Sequence, residues 1–302
     1  MTTVDRTEES TYDRRSLHER IAADLRDEIM AGELAPGAGL PSTVRLKERF
    51  GASNATVQKA LQLLKGERLV VGRPGAAVTV REHRQRTVRP ATSLAAAGAG
   101  EPFPWLAEIA ERGGPGGEAR SQLLDVGEAV PPADVAVALR LPEDGTALVR
   151  RQVLVLGEEP VELVHSYYPL NIARGTALME RRRIQGGTPT LLTELGHPPR
   201  LAVDHVSARV PTREQYEVLR LPGDLPVLRT LRVVYGDDER VLEATVMVKA
   251  GHLHELRYEF TPDPLTAAAR ASDPSDVGHQ GASGPAGEQA GRAPAGRGAG
   301  AA

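Results

Sequence analysis

The apolar residues of this chain change their spacing part-way along it, and that change limits the folds open to it. Between residues 16 and 66 they keep the period of a helix: Leu17, Ile21, Leu25 and Ile29 at every fourth position, then Val57, Ala60, Leu61 and Leu64. From Ala147 onward β-branched runs take over, at 147–156, 160–168, 200–210, 226–235, 240–249 and 255–260. Gly157-Glu158-Glu159 and Gly236-Asp237-Asp238-Glu239 fall between pairs of these runs as hairpin turns, and helical pieces fit 133–138, 188–195 and 212–219. The class expected is α+β: an all-helical start, then a mostly antiparallel sheet with flanking helices.

The chain has 302 residues, enough for two ordinary domains, and its breakers say where they divide. Ala, Gly and Pro dominate 91–117 around one apolar patch, Phe103-Pro104-Trp105-Leu106 with Ile109, which reads as a linker. Beyond residue 262 almost nothing large and apolar remains to offset ordering entropy, so a disordered tail is expected. The expected layout is a first, helical domain at 14–82, a linker at 83–117, a second domain at 118–261 and a tail at 262–302. No repeat of solenoid period stands out.

Cysteine is absent, which excludes disulfides and thiolate metal sites. The start of the chain is polar and no long uncharged apolar run occurs, so a soluble, cytoplasmic protein with no membrane partner is expected. Net charge is −3 overall, yet residues 14–86 hold 14 Lys and Arg against 8 Asp and Glu, a local balance of +6. A basic front half points to a polyanion partner.

Within that front half Gly32 ends the first helix, and Ser42 caps a short one running to Phe50. Gly51-Ala52-Ser53 then makes a three-residue turn whose Ser caps a further helix from Asn54 to Lys65, the arrangement of a helix-turn-helix. With Val57, Ala60, Leu61 and Leu64 inward, Asn54, Ala55, Gln58, Lys59, Gln62 and Lys65 face out, offering amides and cations for base edges and phosphates. Two Val-rich runs, 69–71 and 78–80, flank Gly72-Arg73-Pro74-Gly75 as a β-wing with Arg73 near its tip, a place from which Arg commonly reaches the minor groove. The residues expected to meet DNA are Ser42, Arg45, Ser53, Asn54, Thr56, Gln58, Lys59 and Arg73, with Lys47 and Arg49 as weaker candidates. Arg81, Arg84 and Arg86 read as the solvated start of the linker.

Residues 16–81 resemble the GntR family of bacterial regulators. The likeness is carried by Ile21-Ala22-Ala23-Asp24-Leu25-Arg26, Ile29, Gly32, Leu34, Pro36-Gly37, Leu40-Pro41-Ser42, Leu46, Phe50-Gly51, Ser53, Thr56-Val57, Ala60-Leu61, Leu64 and Gly75. The strand-rich half, about 103–261, is similar to the ligand-sensing UTRA domain of the HutC subfamily, through Pro160, Ser166-Tyr167-Tyr168-Pro169, the Leu191–Gly196 helix and Glu243. The resemblance implies a homodimeric regulator, most often a repressor, that binds double-stranded operator DNA and is retuned by an unknown small-molecule effector, with no cofactor. The family usually carries arginine where this chain has Val44, Asn54 and Gln58. Asn and Gln pair with adenine where Arg pairs with guanine, so an operator with A·T pairs at those positions is expected.

For the effector, the expected contacts are Arg151, Tyr167, Thr188 and Glu243. Thr188 lies in Gly186-Gly187-Thr188-Pro189-Thr190, where a helix N-terminus could receive an anion, although a plain helix cap reads as well. Glu243 shares a strand face with Thr245 and Met247, opposite Leu242, Ala244, Val246 and Val248, and could accept from hydroxyl or amine groups or pair with Arg150 or Arg151. Many UTRA domains place two arginines where this chain has Gln152 and Leu154. His252 and His254, with His197 and His205 elsewhere, form too weak a pattern for a metal site, and none is expected. No nucleophile elbow, phosphate loop or zinc-protease motif occurs. Two rival readings stay open: an enzyme on a chorismate-lyase-like fold, and a plasmid-maintenance DNA binder that needs no effector.

Overall fold

The computed structural model describes residues 13–72, 77–82, 86–90, 119–223 and 225–260. Arg73, Arg84 and the Phe103–Ile109 patch lie outside them. Met1–Tyr258 group into one compact unit and Glu259–Ala302 into another, of which only 259 and 260 are described.

Three helices open the chain: α1 (Leu17–Ala31), α2 (Thr43–Phe50) and α3 (Asn54–Gly66). The Glu19 carboxylate accepts from the Ser16 N–H at 2.7 Å to start α1, and Gly32 ends it at φ +89°, a value that only glycine adopts freely. Ile21, Leu25 and Ile29 of α1 are buried together with Leu46 of α2 and Val57, Ala60, Leu61 and Leu64 of α3. β1 (Val70–Val71) and β2 (Thr79–Val80) pair antiparallel as the wing stem. β3 (Arg86–Val88) leaves the wing and pairs in parallel with β10 (His254–Leu256).

The second half is one six-stranded antiparallel sheet in the order β4-β5-β6-β9-β8-β7. Its strands are β4 (Ala119–Ala129), β5 (Ala147–Leu156), β6 (Glu159–Tyr168), β7 (Leu201–Arg209), β8 (Val227–Tyr235) and β9 (Val241–Ala250). Helices α4 (Ala133–Ala138), α5 (Leu170–Ala173), α6 (Gly187–Glu194) and α7 (Arg213–Val218) complete it. The α+β class and antiparallel sheet are as expected, with two departures. Strand β4 has no β-branched run to announce it; as an edge strand it carries Arg120, Gln122, Asp125 and Glu128 on its ladder. The run at 255–260 gives only β10, which stands outside the large sheet.

The sheet is also a duplication, which a search at solenoid period does not detect. β4-α4-β5-β6 and β7-α7-β8-β9 follow the same strand-helix-hairpin path, and α4 and α7 run into Leu139-Arg140-Leu141-Pro142 and Leu219-Arg220-Leu221-Pro222. Arg140 and Arg220 each end their helix at positive φ, +54° and +50°, and in both copies the following leucine N–H bonds back into the helix. One half of the sheet repeats the other, and the two halves meet where β6 pairs with β9.

Candidate nucleic-acid interface and ligand cavity

The turn between α2 and α3 is set by two serine caps. Ser42 Oγ accepts from the Arg45 N–H at 3.3 Å, and Ser53 Oγ accepts from the Thr56 N–H at 3.2 Å while lying 2.8 Å from Thr56 Oγ1. Gly51 supplies the left-handed residue between them, φ +58°. With Val57, Ala60, Leu61 and Leu64 buried, Asn54, Ala55, Gln58, Lys59 and Gln62 are exposed on one side of α3, and Ser42, Arg45 and Ser53 are exposed beside them. Thr56 is half-buried, and Gln58 Nε2 lies 3.5 Å from Thr43 Oγ1, linking the N-terminal half of α3 to the start of α2. Val44, one of the positions where arginine is usual, is 62% exposed. Arg49 is committed elsewhere: it pairs with Glu28 of α1 and lies 4.7 Å over the Phe50 ring.

On the sheet, two adjoining cavities of about 120 Å³ and 100 Å³ share Gln152, Ser166 and Thr188 as their common wall. The first lies over β6, β9 and β8, and its lining includes Val88, the last residue of β3, and Arg89 and Pro90 after it. Glu243 is a buried residue of its lining, accepting from Thr245 Oγ1, with Thr188 Oγ1 3.5 Å away. Ser166 Oγ lies 2.8 Å from the Thr245 hydroxyl. Burial pushes the Glu243 carboxyl up from its ordinary range, against the opposing pull of the Thr245 hydroxyl and the Arg232 charge. The fully buried Tyr168 side chain stands in the wall of the second cavity, where burial pushes its hydroxyl pKa up and the hydroxyls of Thr188 and Ser166 pull against that shift.

Three of the cations around these spaces are engaged with protein partners. Arg232 forks onto Asp204, Nε–Oδ1 2.6 Å and Nη2–Oδ2 2.7 Å, and donates to the Pro90 carbonyl at 3.0 Å. Lys249 pairs with Glu162. Arg150 gives its N–H groups to the carbonyls of Leu178, Glu180 and Arg182. Gly186, at φ +71°, opens α6 with no side-chain cap, so its first N–H groups border the second cavity together with Ser121 and Arg183.

Of the four expected effector contacts the structure brings two together, Thr188 and Glu243. Arg151 and Tyr167 belong to the opposite face of the sheet, because side chains alternate along β5 and β6. Tyr167 is buried in the main apolar cluster, and Arg151 stands across from His165 in the ladder. Their neighbours Arg150, Gln152, Ser166 and Tyr168 take the cavity side, and the β4–β5 and β5–β6 ladders that decide this are non-local. Neither Arg150 nor Arg151 pairs with Glu243.

His252 and His254 have structural partners. His252 Nε2 donates to the Glu67 carbonyl at 3.0 Å, and His254 Nδ1 lies 3.0 Å from the Ala250 carbonyl. Burial lowers their pKa to about 4 and about 3, so both rings are neutral at pH 7. No group of three or more potential metal ligands occurs among the described residues. None of the described helices is long and apolar enough to cross a membrane.

Comparison with known proteins follows the same division. The model of bacterial regulatory proteins of the gntR family matches residues 17–80, and that of the UTRA domain matches residues 115–255. An HTH-type transcriptional regulator of Streptomyces coelicolor is 29% identical over 270 residues, 84% of this chain and 96% of that protein. The mannosyl-D-glycerate transport/metabolism system repressor MngR of Escherichia coli is 37% identical over 68 residues, 22% of this chain and 28% of that one. A crystal structure described as a GntR-family transcriptional regulator has the same fold, with a TM-score of 0.50 at 22% identity over 82% of this chain and 99% of that chain. The chain therefore belongs to the GntR family of transcriptional regulators, in the branch, typified by the HutC subfamily, that joins the helix-turn-helix to a UTRA effector-binding domain.

Proposed function

We propose that the chain acts in the cytoplasm as a homodimeric repressor whose two α3 helices read an operator of two half-sites, and that a small molecule in the sheet cavity changes its affinity for that operator. The observation that carries this reading is the capped, exposed N-terminal half of α3, with Asn54, Gln58 and Lys59 side by side above a closed apolar core. Asn54 and Gln58 are suited to adenine, and the exposed Val44 is suited to a thymine methyl group, so the operator is A·T-rich where arginine-bearing relatives read guanine. Ser42, Arg45, Ser53 and Thr56 fix the register on the backbone, and Arg73 would extend it from the wing. In the cavity Glu243 accepts from a hydroxyl or amine of the effector, while Thr188 and the first turn of α6 receive an anionic group if it has one. We read the cavity as a site of binding without turnover; conversion of a bound ligand by the purified protein would refute this.

Selection of bound sequences from a random duplex pool tests the reading directly. The expected consensus is an inverted repeat with A·T pairs at the Gln58 contacts, and Gln58→Ala relaxes discrimination there by about 1–3 kcal/mol. A G-rich consensus that depends on Gln58 would count against it.

A further inference from the structure

Glu159 opens β6 directly after the Gly157-Glu158 turn, and its carboxylate meets three arginines. Arg68 Nη1 lies 2.8 Å from Oε1, while Arg86 Nη2 and Arg81 Nη2 lie 3.2 Å and 3.5 Å from Oε2. The three come from separate segments of the DNA-binding half and its exit: Arg68 follows α3, Arg81 follows wing strand β2, and Arg86 begins β3. Arg68, at φ +61°, also donates to the Arg220 carbonyl at 3.1 Å, and Arg220 donates to the Glu158 carbonyl at 3.4 Å. One residue earlier the Glu67 carbonyl takes the His252 bond, and the Glu67 carboxylate takes both arms of Arg26 at 2.7 Å and 2.5 Å. A chain of polar contacts thus runs from the end of α3 into the sheet.

Two properties separate this cluster from an ordinary surface ion pair. Glu159 is only 16% exposed, and Arg86 and Arg68 are 21% and 27% exposed. One negative charge is shared among three positive ones, so without it the guanidinium groups would repel one another across the joint. Burial disfavours the charged form of Glu159, but the three arginines hold its carboxyl below the ordinary range.

We propose that Glu159 is a positioning residue for operator binding, fixing the angle at which the sensor half holds α3. The inference rests on reading the chain as a binder of two half-sites. It also joins the cavity to the DNA-binding half. Glu162, three residues along the same strand, pairs with Lys249 inside the cavity, and β3, which carries Arg86, continues to Pro90 on the cavity rim. An occupant that displaces either wall acts on the strands that bear the clamp.

The test is Glu159→Gln in the full chain, measured on a duplex with both selected half-sites and on one with a single half-site. Expected is a loss of about tenfold on the double site, where a loosened second head no longer gains from a high effective concentration, with single-site affinity held within about twofold. Adding Arg86→Gln to the variant should restore part of the loss by relieving repulsion. Equal losses on both duplexes would mean damage to the helix-turn-helix itself, and no loss on either would mean an idle cluster; both overturn the proposal. Calorimetry without DNA gives an independent readout: one unfolding transition for the native chain, two for Glu159→Gln. A single transition in the variant overturns the clamp even if the native protein ignores every duplex, an outcome that would refute the operator reading separately.

Discussion

The proposed DNA-reading face and the candidate ligand cavity are assembled in opposite ways. Ser42 to Lys65 is one short stretch, and once α3 is helical each residue's direction follows from counting about 100° per step. The cavity draws on β5, β6, β8, β9, α6 and the segment after β3, so which side chains enter it depends on the registers of several strand pairs. A one-residue slip in any of them exchanges its two faces. A local site tolerates changes elsewhere in the fold, whereas a register-built site inherits every one of them.

The largest expected effect separates the two directly. Leu64 under α3 and Leu148 under the sheet are both fully buried, but in different apolar clusters. Leu64→Ala and Leu148→Ala should each cost about 2–5 kcal/mol in chemical denaturation. At low denaturant the first should weaken duplex binding at every site, while the second should leave single-half-site binding intact. If Leu148→Ala reduced single-site affinity as much as Leu64→Ala, the DNA-reading face would not be locally built.

The same contrast explains what could be read along the chain. The three N-terminal helices, the Ser42 and Ser53 caps, the Gly51 turn and the face of β9 that carries Glu243 all follow from spacing within one element. An arginine pair and a tyrosine pair give no sign along the chain of which member turns inward, so Arg151 and Tyr167 read as well as their neighbours; the ladders turn Arg150 and Tyr168 to the cavity. Arg81 and Arg86 resemble a solvated basic start of a linker until the fold brings Glu159 to them from more than seventy residues away. The duplication was legible in the paired Leu-Arg-Leu-Pro stretches, although not at a solenoid period. Nothing local announces that His252 would meet Glu67, since the bond exists only after both halves have folded.

A smaller effect sharpens the cavity side of the comparison. The Glu243 carboxyl is raised in the folded protein, so the native state prefers it protonated, and stability falls as pH climbs from the ordinary carboxyl value of 4.5 through the raised one. Glu243→Gln cannot ionise. It should therefore be more stable than the native chain at pH 8 and converge with it near pH 4. Thermal melts of both proteins without ligand across that range read the difference. A Gln variant less stable at pH 8 would make the carboxylate a structural partner of Thr245 and Thr188 and remove it from the effector site.

The smallest effect tests how finely the local face is divided. Lys59 and Asn54 are both exposed on α3, yet a cation and an amide have different uses against a duplex. A lysine on a phosphate displaces about one counterion whatever the sequence, so Lys59→Ala should weaken binding evenly across operator variants and flatten the log Kd against log salt slope by roughly 1. Asn54→Ala should leave that slope unchanged and lose preference at one base pair only. Both follow from titrations at several salt concentrations on the selected consensus and its single-base variants. If Lys59→Ala changed base preference and left the salt slope alone, α3 would be rotated about its axis from the orientation proposed above, and Gln62 would be the next residue to examine against the bases.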